Sequence, residues 1–299
     1  MQATVVITTK NRREDLLRAI ESALGQTAKP EVLVMDDGST DDTQATVLRK
    51  FPTVHLHRSE QSRGLIVQRN RAARLAENPI VFSIDDDAIF STSSVVEKTL
   101  REFSHPRVGA VAIPFANVNQ SPTVLQRAPG PNCIYATHNF IGTAHAVRRD
   151  LFLALGGYRE MLVHQNEEED YCIRLLGAGY ITRCGDADPI HHFESPRRSW
   201  ERMDYYGSRN NVLYAWQNVP FPHMIVHLGG TTAKTLAYQL EPERLWTRLR
   251  GVAAAYGLAF TAQCERQPVT KAVYRLIREI KRRGPLPLRE IETRLPVSV

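Results

Sequence analysis

The sequence predicts an α/β protein: a mostly parallel, doubly wound central sheet flanked by helices, with a helical C-terminal extension. Apolar runs alternate with helical periodicities through the first hundred residues, polar clusters follow the apolar runs, and after Trp216 the pattern is mainly helical. Residues 3 to 9, "ATVVITT", form the first strand, Arg13 to Leu24 a helix, and "EVLVMDDGS" a strand entering a turn. A helix from Thr40 to Lys50, a strand near "TVHLHR", a helix around Gln68 to Ala76 and the strand "IVFSI" repeat the unit. Strands joined through helices run parallel, and ligands of such sheets bind at the carboxyl ends of the strands. The clusters Thr8 to Arg12, Asp36 to Ser39 and Asp85 to Asp87 all fall on that rim.

From about Asn117 the chain is loop-rich, with Pro122, Pro129, Gly130 and Pro131, before "NFIGTAHAVRRDLFLALGGY" resumes order. The expected division is a ligand-binding lobe at 1–115, a second lobe of the same domain at 116–215 and the extension at 216–299. The final "PLPLREIETRLPVSV" reads as a loosely held tail.

With 299 residues, 42% hydrophobic and 23% charged, the composition is globular and argues against disorder. A net charge of +6 accommodates an anionic ligand or surface, or simple solvation. Four scattered cysteines without a CxxC pair argue against disulfides and structural zinc, so a cytoplasmic location is expected. No stretch reaches the ~18 apolar residues of a membrane span. There is no nucleic-acid-binding motif or aromatic-basic platform, and no nucleic-acid partner is expected.

The triplet in "VFSIDDDAIF" carries the sharpest question. Each like-charge contact at about 4 Å costs on the order of 4 kcal/mol at an effective dielectric near 20, so a cation belongs beside it. Strand alternation puts Asp85 and Asp87 on one face and Asp86 on the other. One of that pair can hold Mg2+ or Mn2+, with substrate phosphates completing the shell. An acid-rich surface turn is the plainer alternative. At "DDGSTDDT", Asp36 and Asp37 can accept from a base or a ribose hydroxyl, Gly38 supplies positive-φ freedom, and Ser39, Thr40 or Asp41 can equally cap the next helix.

In order and spacing, "VVITTKNR", "VLVMDDGSTDDT" and "FSIDDDA" resemble family 2 glycosyltransferases of the GT-A (Rossmann-like) fold over roughly the first 215 residues. The resemblance implies metal-dependent, inverting transfer from a UDP-, dTDP- or GDP-sugar to a hydroxyl of a glycan, lipid-linked or other acceptor, in surface polysaccharide or glycoconjugate synthesis. It implies Thr8, Asp36 and Asp37 at the nucleoside, with Asn11 and Arg12 on the same nucleotide-sugar side. Asp85 and Asp86 fall near the ribose, Asp87 on a Mn2+ or Mg2+ ion, and Arg69 of "SRGLIVQRN" at the diphosphate unless it is an exposed helix arginine.

"HQNEEEDYCIRLLGAGY" reads as a helix with Asn166 as N-cap, Glu169 closing a capping box and Gly177 or Gly179 ending it. Asp170 pairs with Arg174 one turn on, and Glu167 shares that charged face. Glu168 precedes Tyr171, Cys172 and Leu175 on the buried face, where desolvation raises its pKa toward that of a useful base. The resemblance makes the second acid, Glu168, the catalytic base, with Asp170 as its rival.

In "DPIHHFESPRR" His191 and His192 face opposite ways, so at most one binds metal; His192 is the candidate, with packing as the alternative. Arg197, Arg198 and Trp200 follow, and "YYGSRNN", with Arg209 and Asn210, lines the acceptor or diphosphate side or is a solvated basic loop. The basic amphipathic helix in "VTKAVYRLIREIKRR" either packs on the catalytic lobe or makes a peripheral contact with the inner face of the plasma membrane. A sugar-phosphate nucleotidyltransferase and a noncatalytic glycan- or membrane-surface-binding module are the competing functions.

Overall fold

The computed structural model describes residues 1–298 apart from 132, 195–198, 239–240 and 262–263; Arg197 and Arg198 therefore lie outside the described residues. The strands β1 (Ala3–Thr9), β2 (Glu31–Asp36), β3 (His55–Arg58) and β4 (Ile80–Asp85) lie parallel in the order 3-2-1-4. They are joined through α1 (Arg13–Leu24), α2 (Thr43–Lys50) and α3 (Leu65–Leu75). Every residue of β1 is buried, as a continuous apolar strand covered on both faces requires. The helix α2 starts later than expected because Asp41 Oδ1 accepts from the Thr43 N–H and Oγ1, holding the chain in a turn first.

The chain continues through β5 (Ala88–Phe90), α4 (Val95–Arg101), β6 (Val108–Ala112), β7 (Phe115–Asn117), β8 (Tyr135–Thr137), β9 (His145–Arg148), α5 (Arg149–Ala154), α6 (Glu167–Gly177), β10 (Ile181–Cys184) and β11 (Ile190–His192). Then come α7 (Trp200–Asn218), α8 (His223–Ala237), α9 (Pro242–Ala259), α10 (Lys271–Arg283), β12 (Leu286–Pro287) and α11 (Leu288–Ile291). The main sheet has nine strands among the described residues, ordered β12-β8-β10-β6-β9-β4-β1-β2-β3.

The parallel expectation holds for β1 to β4 and for the β6–β10 pair, whereas β9 is antiparallel to both β4 and β6. The chain enters β9 from the loop at the carboxyl rim, beside the end of β4, so no crossover helix is needed to reach it. A second sheet, β5-β11-β7, extends from the acid triplet.

The C-terminal residues are not a loose tail. The strand β12 pairs antiparallel with β8, and Leu286, Leu288, Ile291 and Leu295 join the main hydrophobic core. Their spacing gives one apolar side to a segment whose backbone the sheet edge can satisfy, and burial of that side outweighs the entropy of a free end. The last stretch of the 216–299 region is thus part of the sheet. Ile291→Ala is expected to destabilise the protein by about 2–5 kcal/mol, read from the denaturation midpoint; a loss below about 0.5 kcal/mol would mean the segment is only loosely held.

The basic helix is α10, and it buries Val273, Leu276, Ile277 and Ile280. Of its two readings, packing is the one realised for its apolar side. The helix α8 is partly covered: Met224, Leu228 and Leu236 pack against the core, while Ile225 and Val226 are exposed.

Candidate active site

Each acid of the triplet meets a cation. Asp85 Oδ1 accepts from Arg69 Nη2 at 2.8 Å; Asp86 accepts from Thr9 Oγ1 at 2.8 Å and Arg12 Nη1 at 3.1 Å; Asp87 Oδ2 accepts from Arg12 Nη1 at 2.9 Å. Burial still pushes Asp86 up to about 7 against the pull of Arg12 and Thr9.

The short sheet explains how His192 arrives. In register it stands opposite Ala88 of β5, the residue after Asp87, and beside Asn117 of β7. Its Nδ1 lies 2.7 Å from Asn117 Oδ1 and its Nε2 3.1 Å from Asp87 Oδ1. A proton on Nδ1, donated to Asn117, leaves the Nε2 lone pair on the carboxylate side, as a ligating imidazole requires. Ligand atoms of Asp85, Asp87 and His192 all lie within 4.8 Å of one another. Two carboxylates and an imidazole form a donor set that fits a divalent cation. His191 lies beside Ile89 and is not part of this group.

On the nucleoside side, Thr8 stands level with Asp85, and its buried Oγ1 has no hydrogen-bond partner among the described residues. Asp36 is fully buried: Oδ1 accepts from the Ser39 N–H at 2.8 Å, while Oδ2 makes no hydrogen bond and lies 3.8 Å from Arg58 Nε. Asn11 ties the first rim to the second, its N–H donating to Ser39 Oγ and its Oδ1 accepting from the Thr40 N–H.

Asp37 is occupied differently, because Ser62 Oγ, the Arg63 and Gly64 N–H groups and Gln68 Nε2 all donate to it. Burial raises its pKa, but these bonds outweigh burial and leave it below the ordinary carboxylate value. Its carboxylate therefore fastens the 61–64 loop. Gly38, at φ 78, lets that loop close in, since a Cβ there would lie 3.1 Å from the Ser62 nitrogen.

Arg69 is buried rather than exposed, and it links the triplet to α6. Besides Asp85, its Nη2 donates to the Gly142 carbonyl at 2.9 Å, and its Nη1 lies 3.4 Å from Glu167 Oε1. Glu168 adjoins the same guanidinium: a Cβ added to Gly142 would fall 2.5 Å from Glu168 Oε1 and 2.7 Å from Arg69 Nη1. Burial first, then the charge of Glu167, pushes Glu168 up to about 8, with Arg69 opposing. Burial also raises Glu167.

Glu167 thus faces Arg69 rather than an outer charged face. The capping box does not form, because Asn166 sits at φ 68 and donates to Asn211 Oδ1, while Glu169 reaches Lys281. Asp170 is 1% exposed and bound by Arg174, Arg159 and Asn218, none of which belongs to the acid cluster.

The family profile described as Glycosyl transferase family 2 matches residues 4–159, more than half of the chain. The chain belongs to glycosyltransferase family 2. Among its relatives, the succinoglycan biosynthesis protein ExoU of Rhizobium meliloti is 36% identical over 90 residues, which span 29% of this chain and 26% of that protein. The glucosyl-dolichyl phosphate glucuronosyltransferase of Haloferax volcanii is 28% identical over 203 residues, spanning 58% of this chain and 63% of that protein. The match therefore covers less than two thirds of either relative.

The fold is that of GT-A glycosyltransferases. The mannosyltransferase PcManGT of Pyrobaculum calidifontis, solved with GDP-Man and Mn2+, superposes with a TM-score of 0.61 at 20% identity over 98% of this chain and 83% of that one. S. aureus TarS 1–349 with UDP-GlcNAc gives 0.61 at 15% identity over 95% and 92%.

In this family 2 chain, three participants were not legible beforehand as site residues: Glu167, Gly142 and Asn117. Glu167 lies within the acid run already singled out, but the contact that draws it inward comes from Arg69, 98 residues away. Arg209 and Asn210 are buried in α7 rather than part of a solvated loop; they donate to the carbonyls of Leu162 and its neighbours and brace the segment leading into α6. Trp200 is exposed and lies against Arg244. Gly142→Ala is expected to keep the fold and lower kcat/KM by about 10²-fold, because the methyl displaces Glu168 and Arg69 together. A folded variant with undiminished kcat/KM would remove Gly142 from the site.

Proposed function

We propose that this chain transfers a sugar from a nucleotide-diphospho-sugar to an acceptor hydroxyl in a single inverting displacement, with Mn2+ or Mg2+ at Asp85, Asp87 and His192. The observation that carries the reading is Arg69, which joins Asp85 of the acid cluster to the carboxylates of α6 and so makes one site of two. When bound, the cation offsets charge on the departing nucleoside diphosphate. Thr8 Oγ1 and Asp36 Oδ2 are the polar atoms left for the nucleoside, with Asn11, Arg12 and Asp86 shaping that side and Asp37 holding its loop. Glu168 takes the proton of the acceptor hydroxyl as that oxygen attacks the anomeric carbon. The electron pair of the broken carbon–oxygen bond leaves with the diphosphate, and a single displacement inverts the centre.

UDP-, dTDP- and GDP-sugars are the donor classes; the GDP-Man, UDP and UDP-GlcNAc complexes of similar folds support that choice. The names of the relatives support a glycan or lipid-linked acceptor in surface polysaccharide or glycoconjugate synthesis. Among the described residues no helix is long and apolar enough to cross a membrane. We place the chain at the cytoplasmic side of the membrane.

Incubation with labelled nucleotide-sugars and Mn2+ tests the reading. Release of nucleoside diphosphate with transfer of sugar supports it, whereas release of pyrophosphate from a nucleotide and a sugar phosphate marks a nucleotidyltransferase. Glycan binding without donor turnover marks a noncatalytic module. Because a base acts deprotonated, kcat/KM is expected to rise with pH through about 8, the value burial gives Glu168. A profile flat from pH 6 to 9 would exclude Glu168 as the group titrating in the free enzyme.

A further inference from the structure

Behind Gly142 a closed ring of hydrogen bonds ties α3 to the turn that carries this glycine. Residues 141–144 form a tight turn, with the Ala144 N–H donating to the Ile141 carbonyl at 2.9 Å. The same carbonyl lies 3.3 Å from Nδ1 of His145, whose Nε2 lies 2.8 Å from the Tyr158 hydroxyl. Asn70 grips the Tyr158 backbone in both directions, accepting from its N–H at 2.9 Å and donating to its carbonyl at 2.8 Å. Its neighbour on α3 is Arg69, which closes the ring on the Gly142 carbonyl.

The ring is dry, and its protons have fixed places. His145, Tyr158, Asn70 and Arg69 are all buried, and the imidazole stacks on Phe140 with ring centroids 4.2 Å apart. Burial first, then the charge of Arg69, lowers His145 to about 3, so the imidazole is neutral. A neutral ring carries one proton. Nδ1 must donate it to the Ile141 carbonyl, which can only accept, and Nε2 then accepts from Tyr158. Burial keeps the Tyr158 hydroxyl protonated, as that donation requires. Two phenylalanines would fill the same space without buried polar groups, so packing alone does not call for this pair.

What the pair holds is the turn, and the turn borders both ends of the reacting cluster. Gly142 leaves no room for a Cβ beside Glu168 Oε1 and Arg69, and Thr143 Oγ1 accepts from the Asp85 N–H at 3.3 Å. Gln126 secures the turn from another direction, accepting from the Ile141 N–H and donating to the Ala144 carbonyl. We propose that His145, through Nδ1, and Tyr158, through the tautomer it imposes on His145, are positioning residues that hold the Gly142 turn against Arg69 and so keep Glu168 in its reacting place. The role rests on the reading of Glu168 as the base of a sugar transfer.

The test separates packing from the Nδ1 hydrogen bond. His145→Phe/Tyr158→Phe keeps the buried volume and removes both polar groups, so its denaturation midpoint should stay near wild type; kcat should fall by about tenfold or more, with the donor KM within about twofold. Tyr158→Phe alone leaves the Nδ1 donor in place and should lower kcat less than the pair does. His145→Asn opens a void beside Phe140 but puts an amide N–H where Nδ1 stood. It should unfold more easily than the phenylalanine pair and still turn over about threefold faster or more, because the bond to Ile141 survives. On a Glu168→Gln background the phenylalanine pair should cost less than about twofold, since residues that act through one group do not add. A phenylalanine pair as active as wild type, turnover that follows stability across the variants, or an equal loss on the Glu168→Gln background would each overturn the proposal. If sugar transfer depends on Glu168 but follows stability, only the positioning role falls. A wild-type protein that transfers no sugar, or a Glu168→Gln variant as fast as wild type, would overturn the underlying reading and the proposal with it.

Discussion

Glu168→Gln is expected to lower turnover by about 10²- to 10⁴-fold while donor and metal affinity stay near wild type. The amide keeps the shape of the side chain beside Gly142 and Arg69 and loses only the capacity to take a proton. It also removes a charge that Glu167 and burial already disfavour, so the folded state should not suffer. Asp170→Asn is the paired measurement and should behave oppositely. Its carboxylate answers Arg174 and Arg159 inside the protein, and leaving two guanidinium groups without their counterion should cost about 3–5 kcal/mol of stability. Steady-state kinetics and denaturation midpoints of the two variants separate the roles. A stable but inactive Asp170→Asn, together with an active Glu168→Gln, would transfer the base to Asp170.

Asp87→Asn is expected to abolish the Mn2+-dependent part of donor binding. The carboxylate is the member of the triplet placed between Arg12 and His192, and an amide cannot offset a dication. Thermal shift reads this directly, since a ligand at 100 times its dissociation constant stabilises by about 2.7 kcal/mol. The wild-type shift with donor should grow when Mn2+ is added, and that of Asp87→Asn should not. Equal Mn2+-dependent shifts in a folded variant would place the cation on other residues.

The strands β1 to β4, the helix α1 and the carboxyl rim were readable because each rests on local rules: apolar runs, a 3.6-residue period, and turns after strands. The same rules put Asp85 and Asp87 on one face, and their carboxylates lie close together. They missed where a local preference lost to a distant partner. Asn166 does stand at the N-cap of α6, but its side chain donates to Asn211 and Glu169 of the expected capping box goes to Lys281, 112 residues on. Glu167, given an outer face by helical spacing, turned inward to Arg69 of α3. The sequence left packing and a membrane contact both open for the basic amphipathic α10, and its apolar side is packed.

By itself the sequence determined the local placement of the acids: carboxylates after strands, and a run of acids on a helix with a buried side. Those are properties of neighbours in the chain, and neighbours fix strand, helix and turn. Only the tertiary structure decided that Arg69 and Arg12 would answer the triplet, that Asn117 would orient His192, that Asp37 would hold a loop, and that the C-terminal segment would close the sheet. Each of these contacts joins residues 16 to more than 100 positions apart. Which partner a buried charge or an apolar side finds depends on how strands are ordered and helices packed, and no local pattern contains that order.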